Sequence, residues 1–151
     1  MSGLDQIPVS IESNAPCSGK PRDYGNARAV LGQIRHALER LIASGEETRI
    51  DLSAMPFGPG DLERLTDCLG TGEVQASVEA LGPTRIQETA IPSVWLVDYL
   101  NAENQRLTLH IEIASVPQIL RPQPQDLALA IDRLDARLDG TPAPNTPPLS
   151  S

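Results

Sequence analysis

Few side chains in this sequence are able to act as acids, bases, nucleophiles or metal ligands. The histidines are His36 and His110, and the cysteines are Cys17 and Cys68. Catalysis needs convergent groups, such as a nucleophile beside a base, and neither histidine has a partner at a suitable spacing. The cysteines form no Cys-x-x-Cys pair and have no histidine at a zinc-ligand spacing. We therefore predict no catalytic residue, no metal site, no cofactor and no disulfide framework.

Each of these four residues has a simpler structural interpretation. His36 falls inside a helical pattern and is expected at the surface. Cys68 falls on the apolar side of a second helical pattern, where it acts as a small buried hydrophobe, whereas Cys17 lies exposed in an N-terminal tail. His110 alternates with apolar neighbours, so we expect it on the solvent side of a sheet.

The most informative polar residues precede a proline. Glu88 and Thr89 come shortly before Pro92, which cannot donate a hydrogen bond to a sheet and so indicates a bulge or an edge. Two interpretations stay open. Glu88 accepts hydrogen bonds from backbone or arginine groups there, or Glu88 and Thr89 form a docking rim.

The single tryptophan lies on the next predicted strand. Trp95 belongs either to the core or to an interface, because both environments favour large aromatic side chains. If it is core, Leu96 and Leu100 on the opposite face become candidates for an exposed binding patch. The predicted partner-binding residues are therefore Glu88, Thr89, Trp95, Leu96, Leu100 and His110.

The elements that position these residues follow from hydrophobic periodicity. Helical spacing predicts amphipathic helices from about residue 26 to Gly45, from Asp61 to Gly70, and after Pro124. The turn at 57–61 that opens the second helix shows ordinary turn chemistry, with a weak anion site as the alternative. Alternation predicts strands over 48–52, 73–81, 84–90, 94–100 and 106–113. This order predicts an α+β fold in which an antiparallel meander packs with about three helices.

Composition limits the domain organisation and the partners. The 151 residues fit one domain over 23–139, between a flexible segment at 1–22 and a proline-rich disordered tail at 140–151. A net charge of −8 without clustered lysine or arginine argues against nucleic acid. We also expect no membrane span and no secretory signal, and we place the protein in a reducing cytoplasm.

Several short motifs together resemble the C-terminal domain of the HupH/HyaF family of hydrogenase expression and formation proteins. They run from Tyr24 to Leu120 and include Gly-Thr-Gly-Glu-Val at 70–74, Glu-Thr-Ala-Ile-Pro-Ser-Val-Trp at 88–95 and Ile-Glu-Ile-Ala-Ser-Val-Pro at 111–117. The chain has one module where longer members of that family have more. It also has Ser93 where the family pattern leads us to expect glycine.

The resemblance implies an accessory protein rather than an enzyme. It implies a chaperone in nickel-iron hydrogenase maturation that binds the small, iron–sulfur subunit before export. Another hydrogenase accessory protein is a further candidate partner, and an uncovered edge strand would favour a homodimer. An acidic domain with an open sheet would suit a basic export segment. The alternatives are a metal or iron–sulfur delivery protein that uses Cys17, Cys68 and a histidine across a dimer, and an enzyme with a pocket that unites Glu88, Arg85 and His110.

Overall fold

The computed structural model describes residues 25–140, which contain three α-helices and five strands. In chain order these are α1 Gly25–Ser44, β1 Thr48–Asp51, α2 Asp61–Leu69, β2 Gln75–Glu79, β3 Pro83–Glu88, β4 Val94–Leu100, β5 Arg106–Ile113 and α3 Pro124–Leu138. The predicted α+β class is confirmed. The predicted segment 1–22, Cys17 and the predicted tail beyond Gly140 lie outside the described residues.

The five strands form one antiparallel sheet in the order β1-β5-β4-β3-β2. Strands β2 to β5 make the predicted meander, with β4 at the centre, and β1 adds to the far side of β5. One row across the sheet pairs Ile50 with Ile111, Ile111 with Leu96, and Leu96 with Gln87. Because side chains alternate along a strand, this register fixes which residues share a face.

The first face, here called the helix face, carries the larger core. The buried residues of α1 lie about one helical turn apart, and they pack with Leu65 and Leu69 of α2 against β1, β4 and β5. Burial of such aliphatic side chains contributes about 25 cal/mol per Å² of apolar surface removed from water. Helix α1 ends where predicted, at Gly45, whose φ of 74° suits a residue without a side chain.

The opposite face, here called the far face, is also buried. Ile86, Trp95 and Val97 form a second cluster, against which Ile119 and Leu120 pack. The segment that contains Ile119 and Leu120 is attached to the sheet through Glu112 of β5. Glu112 is 4% exposed, accepts a hydrogen bond from the Gln118 amide at 3.0 Å and forms an ion pair with Arg49. The expectation that His110 faces solvent is therefore wrong: His110 is half-buried, with its ring edge-on to Tyr99.

Helix α3 has the amphipathic pattern that the sequence predicts, but it does not complete the core. None of its residues is buried. Its large apolar side chains are exposed over its whole length, namely Leu127, Leu129, Ile131, Leu134 and Leu138. Two of the three helices therefore pack on the sheet, and the third does not.

Candidate functional site

The three motifs from the centre of the sequence meet at one place, the turn between β3 and β4. Gly72 of the first motif donates its amide to the Glu88 carbonyl of the second at 2.7 Å, and Ala90 donates to the Leu69 carbonyl at 2.8 Å. From the third motif, the Ala114 carbonyl accepts from the Trp95 indole at 3.0 Å. The motifs therefore build a structural junction, which is held by backbone hydrogen bonds and by the buried Trp95 indole.

Two residues explain why this junction needs its particular sequence. A Cβ on Gly72 would lie 2.5 Å from the Thr89 carbonyl oxygen, so a side chain has no room there. Ser93 has a φ of 67°, a left-handed conformation that favours glycine. This conformation explains why the family pattern leads us to expect glycine at position 93.

A groove lies on the helix face, beside the N-terminal half of α2, where the helices stop covering the sheet. It has a volume of about 660 Å³. Leu62 and Thr66 of α2 form one wall, while Leu96 and Leu109 supply apolar surface from β4 and β5. Its remaining lining from β2, β3 and the strand ends is mostly polar, namely Gln75, Ser77, Arg85, Gln87, Asp98 and Arg106. We call this site the α2 groove.

The charged side chains of the α2 groove differ in whether they have an ion-pair partner. Asp98 accepts two hydrogen bonds from Arg106, at 2.7 and 2.8 Å, and this pairing raises the pKa of Arg106 above its ordinary value. Arg85 is the neighbour of Asp98 on the adjacent strand, yet Asp98 is already bound by Arg106. Arg85 is exposed and has no ion-pair partner in residues 25–140. Glu63 of α2 is the other acidic residue that lines the groove.

The groove opens next to an unpaired edge of the sheet. Strand β2 is last in the sheet order and pairs with β3 alone within the described part of the chain. The Glu88 amide donates to the Val74 carbonyl. Because backbone groups alternate in direction along an antiparallel ladder, the amide and carbonyl groups of Ala76 and Val78 also point toward β3. The amide and carbonyl groups of Gln75, Ser77 and Glu79 therefore point to the open edge.

The structure separates the residues that we predicted to bind a partner. Thr89 is 2% exposed, and its hydroxyl binds the Val94 carbonyl at 2.9 Å, so it belongs to the junction rather than to a rim. Glu88 is half-buried and accepts from the Val74 amide at 3.3 Å, as the structural interpretation expected. Leu100 is buried as well, which contradicts its place in an exposed patch.

The other three predicted residues lie on two faces. Trp95 is a core residue of the far face, and His110 lies on the same face. Leu96 alone lines the α2 groove. Arg85, which lines the groove, is absent from the predicted partner-binding residues and enters the sequence hypotheses only in the enzyme alternative, because periodicity alone does not give the register of its strand. The predicted meander, extended to a register, would have placed Arg85 beside Asp98.

The remaining sequence hypotheses have mixed outcomes. Cys68 is half-buried rather than buried, and it is disulfide-bonded although the cysteine pattern suggested no disulfide framework. No cluster of three potential metal ligands occurs within residues 25–140. The α2 groove contains Arg85 without Glu88 or His110, so the pocket that the enzyme hypothesis required is not the one observed.

Two local expectations near the helices agree with the structure. At the turn before α2, the Asp61 carboxylate accepts the Gly58 amide at 2.8 Å and lies next to Arg64, which is ordinary turn chemistry. His36 is exposed and pairs with Glu39 at 3.1 Å. Among the described residues, no helix has both the length and the apolar character to cross a membrane.

Comparison with known proteins places the fold and the motifs in one family. Residues 24–141 match the family described as "HupH hydrogenase expression protein, C-terminal conserved region". The solved structure of "Hydrogenase expression protein HupH from Thiobacillus denitrificans ATCC 25259" is similar, with a TM-score of 0.72 and 40% identity. That match covers 77% of this chain and 97% of the solved one.

Curated relatives are longer than this chain. "Hydrogenase expression/formation protein HoxQ" of Azotobacter vinelandii is 33% identical over 114 residues, which are 72% of this chain and 39% of the relative. "Hydrogenase expression/formation protein HupH" of Rhizobium leguminosarum bv. viciae is 27% identical over 122 residues, or 75% and 43%. The chain thus spans about two fifths of the length of these relatives. The match over residues 24–141 shows that it belongs to the HupH family of hydrogenase expression proteins.

Proposed function

We propose that this chain is an accessory protein of nickel-iron hydrogenase maturation, a chaperone that binds the precursor of the small, iron–sulfur subunit. Family membership supports a role in hydrogenase formation. The observation that carries the binding role is the edge of β2, which has no second strand partner within residues 25–140 and lies directly beside the α2 groove. An unpaired edge next to a groove suits recognition of a partner segment by strand addition.

Strand addition makes specific use of β2. A partner segment laid along this edge would receive hydrogen bonds from the outward amides of Gln75, Ser77 and Glu79. These main-chain bonds give affinity without requiring a particular partner sequence, which suits a protein that holds an unfolded or partly folded chain. Specificity then comes from side chains that reach the groove.

A capture experiment with a matched pair of variants tests this function. Ser77→Pro removes an amide that points to the open edge, a position where an edge strand tolerates proline. Ser77→Ala keeps that amide, and both variants lose the bond from the Ser77 hydroxyl to Glu79. We expect the wild type and Ser77→Ala to capture the small-subunit precursor from hydrogenase-expressing cells, and Ser77→Pro to capture much less.

The controls separate binding from folding and from iron delivery. Circular dichroism and thermal melts establish that all three proteins are folded, and the eluates are assayed for iron. If folded wild-type protein recovers no precursor, the proposed function is wrong. Equal capture by Ser77→Pro and Ser77→Ala would keep the chaperone role but exclude strand addition at β2.

A further inference from the structure

We infer that the α2 groove binds a polypeptide segment that presents an aliphatic side chain with a carboxylate beside it, and that Arg85 receives the carboxylate. This inference rests on the proposed function, because it names the chemistry of the partner segment. The acidic, aliphatic segment inferred for the groove differs from the basic export segment that the overall acidity of the chain suggests.

The apolar part of the groove defines the first requirement. Leu62, Leu96 and Leu109 contribute to its lining from three different elements, so an aliphatic side chain that enters would contact apolar surface on several sides. Leu62 and Leu96 are half-buried, which leaves part of their surface in contact with water. Removal of this surface from water favours an occupant that is apolar at this point.

The second requirement comes from Arg85. Its cross-strand neighbour Asp98 accepts two hydrogen bonds from Arg106, so the nearest carboxylate on the sheet is already engaged. A guanidinium without a carboxylate partner presents a planar fork of donors that matches a carboxylate. Ser77, the neighbour of Arg85 on the edge strand, has a small side chain.

The charge balance of the groove argues against a basic occupant. The lining carries Arg85 and Arg106 together with Asp98 and Glu63, so it is neutral as a whole. The entire chain, in contrast, has a net charge of −8. A strongly basic segment would therefore be attracted by the molecule but would meet Arg85 inside the groove, where like charges oppose binding.

A polypeptide is the occupant that fits the surroundings. The groove is continuous with the open edge of β2, which offers backbone donors and acceptors to an extended chain. Leu96 lies on β4, two strands in from β2 and thus about 10 Å from the edge. The segment must therefore enter the groove rather than only lie along its border.

Selection from a displayed library of random dodecapeptides tests the inference without any hydrogenase component. The bait is the full-length wild-type chain, and the counter-baits are Arg85→Glu and the milder Arg85→Gln. The control is Arg28→Glu, which reverses an exposed charge on α1 outside the groove. We expect enriched peptides to combine an aliphatic residue with an adjacent aspartate or glutamate.

Affinity measurements on the enriched peptides complete the test. We expect about tenfold weaker binding to Arg85→Gln, as the loss of one charge-assisted pair implies, still weaker binding to Arg85→Glu, and unchanged binding to Arg28→Glu. Enrichment of basic peptides, no enrichment, or binding that is insensitive to both Arg85 variants would overturn the inference. Precursor capture by Arg85→Glu is measured in parallel. If the wild type captures no precursor but selects acidic aliphatic peptides through Arg85, the groove inference stands and the proposed function fails.

Discussion

Helices α1 and α3 have similar amphipathic sequences but opposite roles in the structure. In α1 the apolar positions are buried against the sheet, and Ile34 is 3% exposed. In α3 the same residue type is present as Ile131, which is 64% exposed, and no residue of that helix is buried. Amphipathic spacing therefore specifies that a segment forms a helix, but it does not specify what covers the apolar side.

The difference also predicts different sources of helix stability. Most helical stability in proteins comes from tertiary packing, and an isolated helix of about 12–15 residues is marginal in water. Helix α1 receives its stability from the core. Helix α3, with 15 residues and no buried side chain, must depend on its own caps and on any partner that binds it.

The largest expected effect on stability comes from truncating one apolar-face isoleucine in each helix. Ile34→Ala leaves a cavity between α1 and the sheet and should lower the free energy of unfolding by about 2–5 kcal/mol. Its matched control, Ile131→Ala, should change it by less than about 0.5 kcal/mol. Both values are measured by urea denaturation. A cost at Ile131 as large as that at Ile34 would show that the apolar side of α3 is covered in solution.

A smaller effect should appear at the N-terminus of α3. The Asp126 carboxylate accepts the Gln123 amide at 3.2 Å, a capping interaction. Asp126→Ala should destabilise α3 by about 0.3–1.5 kcal/mol, because no packing compensates for the lost capping interaction. Hydrogen exchange is the measurement: amides of α3 should exchange faster while those of α1 do not change. Unchanged protection of α3 would contradict its dependence on local caps.

The stability that the ion pair before α3 contributes should depend modestly on pH. Arg121 donates to Glu47 at 3.0 Å, and this hydrogen bond lowers the pKa of Glu47 below its usual value near 4.5. A lowered pKa means that the carboxylate contributes stability above about pH 4.5 and loses it as the pH falls through the folded-state value. The stability difference between wild type and Glu47→Gln should therefore be constant near neutral pH and shrink in acid. A pH-independent difference would exclude the ionised carboxylate as its source.

The smallest effect concerns the exposed side of α1. Arg35 and Glu39 form an ion pair at 3.3 Å between exposed side chains. Arg35→Ala should change the unfolding free energy by no more than about 0.5 kcal/mol, because such pairs are screened by solvent. Denaturation at low and at high salt checks this expectation. A loss comparable to that of Ile34→Ala would mean that surface charge, rather than the core, holds α1 in place.

Much of the fold was predictable from the sequence, but the candidate site was less so. Gly45 and Gly70 mark helix ends correctly, and the alternating segments give the meander with β4 in the centre. Most of the predicted site residues lie near Pro92 and Trp95, where the residue types are unusual for a strand. In the structure these residues are used to build the junction of the three motifs, so they explain the fold rather than the binding.

The order of residues along the chain is enough to predict the local features: the amphipathic helices, the alternating strands, the glycine-rich turns and the family to which their order belongs. These depend on neighbours within a few positions along the chain, where periodicity and backbone sterics act. Which apolar faces are covered depends on the tertiary structure. It buried Leu100 and Thr89, left Ile131 exposed, and brought Arg85 beside an Asp98 already bound to Arg106. These outcomes depend on strand register and on contacts between residues distant in sequence, which local periodicity does not encode.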